Sequence, residues 1–91
     1  MATRAVLSVL GKDRTGIVAK VATTLTEAGA NIDDIRQDII DDIFSMIMMV
    51  SLDEETCSFD ELQQRLSEDA QALKMQITLQ REEVFHFMYE I

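Results

Sequence analysis

The 91-residue sequence contains no proline, no tryptophan, one cysteine and one histidine. The lack of proline disfavours a linker or a disordered tail. Cys57 has no second cysteine with which to form an internal disulfide, and this fits a reducing compartment such as the cytoplasm. One cysteine and one distant histidine do not make a metal site, because such sites need clustered thiolate or imidazole ligands. We therefore expect a cytoplasmic protein with no metal and no cofactor.

Positive charge is also scarce. The chain has 8 lysines and arginines against 17 aspartates and glutamates, a formal net charge of −9. Because phosphate backbones are bound by lysine and arginine, this balance disfavours nucleic acid and anionic membranes as partners. The longest nearly continuous apolar run, residues 43–50, is far too short to span a membrane, and the N-terminus lacks the pattern of a signal peptide. Residues 12–14 form the one loop with the composition to carry a local basic patch.

Groups for catalysis are few. His86 lies in an aromatic tail, where we interpret it as a packing or surface residue. Cys57 precedes the predicted second helix, but no base accompanies it, so we interpret it as a small loop residue. The carboxylates at 53–55 are interpreted as a solvated turn. The composition therefore favours a protein that is not an enzyme.

The hydrophobic pattern predicts one domain over residues 1–91, with a core at 3–81 and a C-terminal tail at 82–91. Apolar alternation predicts strands and apolar spacing at one helical turn predicts helices. The helix stop signal is Gly29, and Ser58 with Glu61 has the pattern of a capping box. Strands are predicted at 3–10, 31–40, 43–52 and 75–81, with a turn at 11–16 and a hairpin turn at 41–42. The first predicted helix runs from 17 to Gly29. The second begins at Ser58, and its predicted buried residues are Phe59, Leu62, Leu66, Ala70 and Leu73.

This βαββαβ order predicts an α+β, ferredoxin-like fold, a four-stranded antiparallel sheet with both helices on one face. The first and third strands should be central, because the third is apolar on both faces, and the second and fourth should be edges. The uncovered face of the sheet then needs its own cover. A short helical tail and a second subunit are both expected to contribute to this cover, the tail residues being Val84, Phe85, Phe87, Met88 and Ile91.

The segment Gly-Lys-Asp-Arg-Thr-Gly at 11–16 lies between a strand and a helix. The amide groups at a helix start favour an anion, and Gly11 and Gly16 are expected to let the chain turn sharply and approach a ligand closely. The spacing does not match a Walker loop. A purely structural turn, with Asp13 or Thr15 capping the helix, is an open alternative.

The residues GKDRTGIVAKV after the first strand, followed by LTEAGANIDDI at the second, resemble the ACT domain, the regulatory module of many enzymes of amino-acid metabolism. The segments DIFSMIMMVSLD, SFDELQQRL and LQREEVF extend the similarity over essentially the whole chain. They resemble a bacterial and archaeal family in which the ACT domain is the entire protein. This resemblance implies a regulatory domain with no catalytic or DNA-binding domain attached.

In ACT domains an amino acid or a similar small ligand commonly sits between two domains packed side by side. The resemblance therefore implies a homodimer or higher homo-oligomer that binds such a ligand and signals to a partner enzyme. Asp13 can accept a hydrogen bond from an ammonium group, and Asn31 offers both a donor and an acceptor to a zwitterion. The implied ligand contacts are Gly11, Asp13, Arg14, Gly16, the Ile17 amide, Asn31 and Ile32.

An oligomeric scaffold is the alternative function. Its sheet would dock a partner enzyme without any ligand, the loop at 11–16 would be a simple turn, and Asn31 would cap a turn. Binding of an amino acid separates the two interpretations.

Overall fold

The strands and helices follow one another in the order that the sequence predicts. A computed structural model describes residues 2–84 of the chain, and residues 82–84 are helical. The predicted tail residues Phe85, His86, Phe87, Met88 and Ile91 lie outside the described residues, and the division into a core and a tail stays a prediction. The elements are β1 (Ala2–Lys12), α1 (Ile17–Glu27), β2 (Asn31–Ile40), β3 (Ile43–Asp53), α2 (Phe59–Leu73) and β4 (Gln76–Arg81).

The sheet has the strand order β2-β3-β1-β4, and every neighbouring pair is antiparallel. This confirms the ferredoxin-like prediction, with β1 and β3 central and β2 and β4 at the edges. The core combines one face of the sheet with the apolar stripes of both helices, so both helices lie on that face. Within residues 2–84, neither α1 nor α2 is long and apolar enough to cross a membrane.

The core is centred on Leu7 of β1. Leu7 lies opposite Met48 on β3 and opposite Leu79 on β4, and all three are buried together with Leu25 of α1 and Leu66 of α2. Full burial of such a side chain contributes about 1.5–3 kcal/mol. This layer therefore joins three strands to both helices.

The end of α1 confirms Gly29 as a stop signal. Gly29 has φ of 75°, a left-handed conformation that other residues adopt at a cost. Its amide donates to the Thr26 carbonyl at 3.0 Å, and the Ala30 amide donates to the Leu25 carbonyl at 2.9 Å. These two bonds form a Schellman motif, which satisfies the last carbonyls of the helix.

The start of α2 confirms Ser58 as the N-cap. Its hydroxyl accepts a hydrogen bond from the Glu61 amide at 3.1 Å. The Glu61 carboxylate lies 3.1 Å from Cys57 Sγ and 3.8 Å from an Arg65 nitrogen. Burial, followed by the contact with Glu61, raises the pKa of the Cys57 thiol. Cys57 is therefore a protonated, buried thiol at neutral pH.

The buried stripe of α2 differs from the prediction at one position. Asp69 is buried, whereas Ala70 is only partly buried. The Thr24 hydroxyl of α1 donates a hydrogen bond to the Asp69 carboxylate, and Lys20 Nζ lies 3.9 Å from it. A buried carboxylate is tolerated when it is hydrogen-bonded and paired, and these partners on α1 provide both conditions.

The turn at 53–55 was predicted to be solvated, and for Glu54 this is wrong. Both terminal nitrogens of Arg81 lie 3.2 Å from the Glu54 carboxylate oxygens. The Thr3 hydroxyl donates to Glu54 at 2.6 Å and the Phe59 amide donates at 3.2 Å. These bonds, led by those from Arg81, lower the pKa of Glu54 to about 2. The Glu54 carboxylate thereby links Thr3 of β1 and Arg81 at the end of β4 to the start of α2.

Apolar side chains remain uncovered on both faces of the sheet. Ile35 and Ile39 lie on the helix-covered face, opposite the buried residues Met48 and Phe44, yet they are 40% and 54% exposed. On the opposite face Leu10, Ile43 and Ile47 are all more than 40% exposed. The apolar surface of this domain is therefore concentrated at β2 and its neighbour β3.

Candidate functional site

The loop between β1 and α1 is shorter than predicted. Gly11 and Lys12 continue β1, opposite Phe44 and Ile43 of β3, so the loop comprises only residues 13–16. The antiparallel pairing extends this far because β3 is long enough to provide partners. The Asp13 amide then donates to the Asp42 carbonyl at 2.7 Å. This bond fastens the loop to the turn between β2 and β3.

Gly11 and Gly16 serve different purposes. Gly16 has φ of 87° and supplies the sharp turn that was predicted. For Gly11 that prediction is wrong, because it lies in a strand. A Cβ atom at Gly11 would lie 2.6 Å from Met75 Sδ, so the absent side chain makes room for Met75. The close approach expected of Gly11 is therefore an internal packing contact.

The start of α1 lacks the stabilising groups that α2 possesses. Gly16 is the N-cap and offers no side-chain hydrogen bond, and the first turn contains no acidic residue. The capping alternative for Asp13 or Thr15 is therefore wrong. By contrast, Ser58 caps α2 and two acidic residues follow it. The Ile17 side chain is buried in the core, so only its amide faces the loop. These first amide groups of α1 are available to an anionic group.

Arg14 is directed towards α2. Its Nη1 donates a hydrogen bond to the Leu73 carbonyl at 3.1 Å, at the end of that helix. A cleft of about 420 Å³ lies between the loop and the residues that end α2. We call it the loop cleft. Its lining residues are Lys12, Asp13, Arg14, Thr15, Leu73 and Lys74.

Asn31 and Ile32 begin β2 on the exposed edge of the sheet. Asn31 Nδ2 donates to Asp33 Oδ1 at 2.7 Å, and the Ser51 hydroxyl donates to the same carboxylate. These hydrogen bonds, that of Ser51 first, lower the pKa of Asp33. A β-bulge at Asp33 shifts the register with β3. Asn31 itself is exposed to solvent.

The predicted ligand contacts fall into two groups within one chain. Gly11, the loop and the start of α1 lie at one end of the sheet. Asn31 is opposite Ser51, whereas Gly11 is opposite Phe44, so the two groups are seven residues apart along β3. At about 3.3 Å per residue this is roughly 23 Å. No small amino acid reaches both groups in a single chain.

Two cationic residues of the loop cleft were absent from the predicted site. Lys12 was placed in a basic loop but not among the ligand contacts, and Lys74 was not considered. Lys74 is the C-cap residue that follows α2. Its φ of 56° is in the left-handed region where glycine or asparagine is usual. A lysine gives no sequence signal for that conformation. Within residues 2–84, no three histidine, cysteine, aspartate or glutamate side chains converge as a metal site would require.

Comparison with known proteins agrees with this architecture. A sequence profile of the ACT domain matches residues 3–80. The chain is 43% identical over 88 residues to a UPF0237 protein of Listeria innocua, covering 97% of this chain and 99% of that protein. It is similar to the solved ACT domain protein from Streptococcus pneumoniae, with 39% identity and a TM-score of 0.81 over 93% of this chain and 96% of the other. The regulatory subunit of aspartate kinase from Thermus thermophilus, solved in a ligand-free form, shares the fold alone, with 23% identity and a TM-score of 0.67 over 88% of this chain and 53% of that chain.

Proposed function

The chain belongs to the ACT domain family, whose members are regulatory, ligand-binding domains, and from this premise we propose that it binds an amino acid between two copies of itself. The protein acts in the cytoplasm as a homodimer without catalysis of its own, and a separate partner enzyme responds to its ligand state. Because a ligand that contacts both copies stabilises the dimer that binds it best, binding and assembly are thermodynamically linked.

The observation that carries this proposal is the uncapped start of α1. The amides after Gly16 have no side-chain acceptor and no first-turn carboxylate, so the α-carboxylate of an amino acid supplies the missing acceptor. Asp13 is exposed in the adjacent loop, where its carboxylate accepts from the ligand ammonium group. These are the two charges that every free amino acid carries at neutral pH.

The separation of Asn31 from the loop is explained by a second copy. All ten residues of β2 are exposed, and no other strand within residues 2–84 pairs with its outer edge. The amides of Ile35 and Ile39 donate to the neighbouring carboxylates of Asp34 and Asp38. Two β2 strands related by a two-fold axis run antiparallel and continue the sheet. The exposed Ile35 and Ile39 then become buried at the junction. This arrangement brings the start of β2 in one copy towards the far end of β2 in the other.

Charge selects one register for this pairing. A two-fold axis at Gln37 places Arg36 of each copy opposite Asp38 of the other, and Ile35 opposite Ile39. Opposite charges and apolar pairs at facing positions stabilise antiparallel strands. An axis at Arg36 would instead oppose Arg36 with itself and carboxylates with carboxylates, which is unfavourable. We therefore propose the register centred on Gln37.

The proposed register also completes the ligand site. In this register, Asn31 of one copy lies beyond Ile40 of the second copy, next to the turn at 41–42 of that second copy. The Asp42 carbonyl of that turn accepts the Asp13 amide at 2.7 Å, so Asn31 arrives beside the loop of the second copy. Its amide can then donate to the ligand carboxylate and accept from the ligand ammonium group. Each dimer has two such sites.

The test is a calorimetric titration of the protein with the twenty amino acids. We expect one or more to bind wild-type protein, and Asp13→Asn or Asn31→Ala to weaken binding at least tenfold while the dimer persists. Gln71→Ala, an exposed amide side chain on α2, is the matched control and should bind as wild type does. If the dimer forms but no amino acid binds, the scaffold alternative replaces this proposal.

A mixing experiment tests the sharing of each site between two copies. When the Asp13→Asn and Asn31→Ala proteins are mixed in equal amounts and allowed to exchange, half of the dimers are mixed, and each mixed dimer has one intact site. Binding capacity should therefore recover to about a quarter of the wild-type value. No recovery, despite exchange of subunits, would show that both residues act within one chain or not at all.

A further inference from the structure

The distribution of ion pairs distinguishes three cations from all the others. Five of the eight lysine and arginine side chains pair with carboxylates. Lys12, Arg14 and Lys74 form no ion pair with any carboxylate of residues 2–84, although the chain has 17 acidic residues. The same three side chains line the loop cleft. Within residues 2–84, the lysines and arginines without a carboxylate partner thus lie together at the loop cleft.

The loop cleft is also held in shape. Arg14 is fixed by its 3.1 Å hydrogen bond to the Leu73 carbonyl. The backbone of Lys74 is held at the end of α2, where the Met75 amide donates to the Ala70 carbonyl at 2.9 Å. The volume of about 420 Å³ lies in the range of small-molecule sites. A guanidinium that is already held at the cleft loses less conformational freedom when an anion binds.

Lys74 occupies a backbone conformation that does not favour lysine. Its φ of 56° is in the left-handed region, where a side chain with a Cβ atom is strained. Cations near a helix C-terminus do interact favourably with the helix dipole, but Arg14 already serves the Leu73 carbonyl there. A lysine at a strained position, in a cleft with two other cations that lack a carboxylate partner, indicates that the lysine charge has a function in the cleft.

We propose that the loop cleft binds a small anion with at least two negative charges, of the phosphate or dicarboxylate type. Lys12, Arg14 and Lys74 neutralise the anion, and the Thr15 hydroxyl is available to donate a hydrogen bond. Asp13 is the one carboxylate at the cleft, so the lining keeps a formal charge of +2 when an anion enters. This site goes beyond the amino-acid site, because its cations Lys12 and Lys74 are not among the ligand contacts of that site.

The experiment is a calorimetric titration of the full chain with inorganic phosphate and, separately, with succinate, at constant ionic strength set by sodium chloride. We expect saturable binding of at least one of them. Loss of one exposed charge weakens such an interaction about fivefold, so Lys12→Ala and Lys74→Gly should each show this effect and the double variant about a twenty-five-fold effect. Arg65→Ala, which removes the same charge from α2 two turns away, should bind within twofold of wild type.

Thermal unfolding separates a ligand-binding role of Lys74 from a structural one. Without anion, Lys74→Gly should raise Tm by about 4 °C, because glycine relieves the left-handed strain. The variant should nevertheless lose most of the Tm increase that the anion gives to wild type. A variant that keeps the full anion effect overturns the proposal, as does the lack of saturable binding of both anions or an equal loss in Arg65→Ala.

The two ligands distinguish the source of the anion, since phosphate binding alone indicates a phosphorylated metabolite and succinate binding alone a dicarboxylate. Asn31→Ala distinguishes this site from the amino-acid site. It should weaken amino-acid binding at least tenfold and leave the phosphate or succinate titration unchanged, because Asn31 is uncharged and does not line the loop cleft. Either site can therefore fail without the other.

Discussion

Glu54 and Arg81 meet in a bidentate ion pair, in which each terminal guanidinium nitrogen lies 3.2 Å from one carboxylate oxygen. The Arg81 guanidinium also lies 4.5 Å from the centre of the Phe59 ring. Since Phe59 begins α2 and Arg81 ends β4, this pair joins a turn, a helix and an edge strand. It stabilises the end of the sheet from which the C-terminal residues continue.

The pair predicts a specific pH dependence. The pKa of Glu54 is about 2 in the folded protein and 4.5 for an ordinary glutamate, so the folded state favours the charged form. Its contribution to stability is therefore complete above about pH 4.5 and is lost as the pH falls towards 2. In urea unfolding followed by circular dichroism, Glu54→Gln should be less stable than wild type at pH 7, with a difference that disappears near pH 2. Glu55→Gln, the exposed neighbour, should show no such convergence.

The proposed dimer register predicts a charge-reversal result. Arg36→Asp and Asp38→Arg each replace two attractive cross-strand pairs by repulsive ones, so each should weaken the dimer about tenfold. The double variant restores both pairs with their positions exchanged and should recover most of the wild-type affinity. Sedimentation equilibrium measures the dissociation constants. A double variant that dimerises no better than either single variant contradicts the register centred on Gln37.

The packing of Gly11 against Met75 predicts a non-additive pair of variants. Gly11→Ala should cost about 1–2 kcal/mol of unfolding free energy, because the new Cβ collides with Met75 Sδ. Met75→Ala should cost about 2–4 kcal/mol through the cavity that it leaves. The double variant should be more stable than the sum of the two losses predicts, since the smaller residue 75 removes the collision. Strict additivity would show that Gly11 is required for another reason.

The buried Asp69 predicts a matched pair of threonine variants on α1. Thr24→Val removes the hydroxyl that donates to Asp69 and should cost about 1–3 kcal/mol, because the carboxylate stays buried with less hydrogen bonding. Thr26→Val makes the same chemical change at an exposed position and should stay within about 0.5 kcal/mol of wild type. Equal effects of the two substitutions in urea unfolding would contradict the role given to Thr24.

Patterns of apolar residues were sufficient to predict the architecture. The third strand is apolar on both faces, which placed it in the centre of the sheet, and Ser58 and Gly29 marked one end of each helix. These signals are local, and the burial of apolar side chains enforces them throughout the core. They could not show that Gly11 and Lys12 continue β1, because that depends on pairing with distant residues of β3.

The polar contacts were mostly beyond prediction from sequence. Asp69 and Glu54 are carboxylates in polar segments, where solvation is the usual outcome, and their partners lie 45 and 27 residues away in the chain. Lys74 was missed because its left-handed backbone follows from the end of α2 and not from its residue type. The ligand contacts inferred by resemblance include Asn31, whose distance from the loop is visible only in the strand register.

The bulge at Asp33 limits how far β2 can recruit a foreign strand. A regular extended peptide that pairs with the outer edge stays in step with β2 only from Asp34 to Ile40, because the backbone hydrogen-bonding pattern changes at the bulge. A stack of many identical strands, as in amyloid, needs long unbroken pairing. The bulge therefore protects the β2 edge from aggregation. The seven regular residues that remain are sufficient to pair with β2 of a second copy.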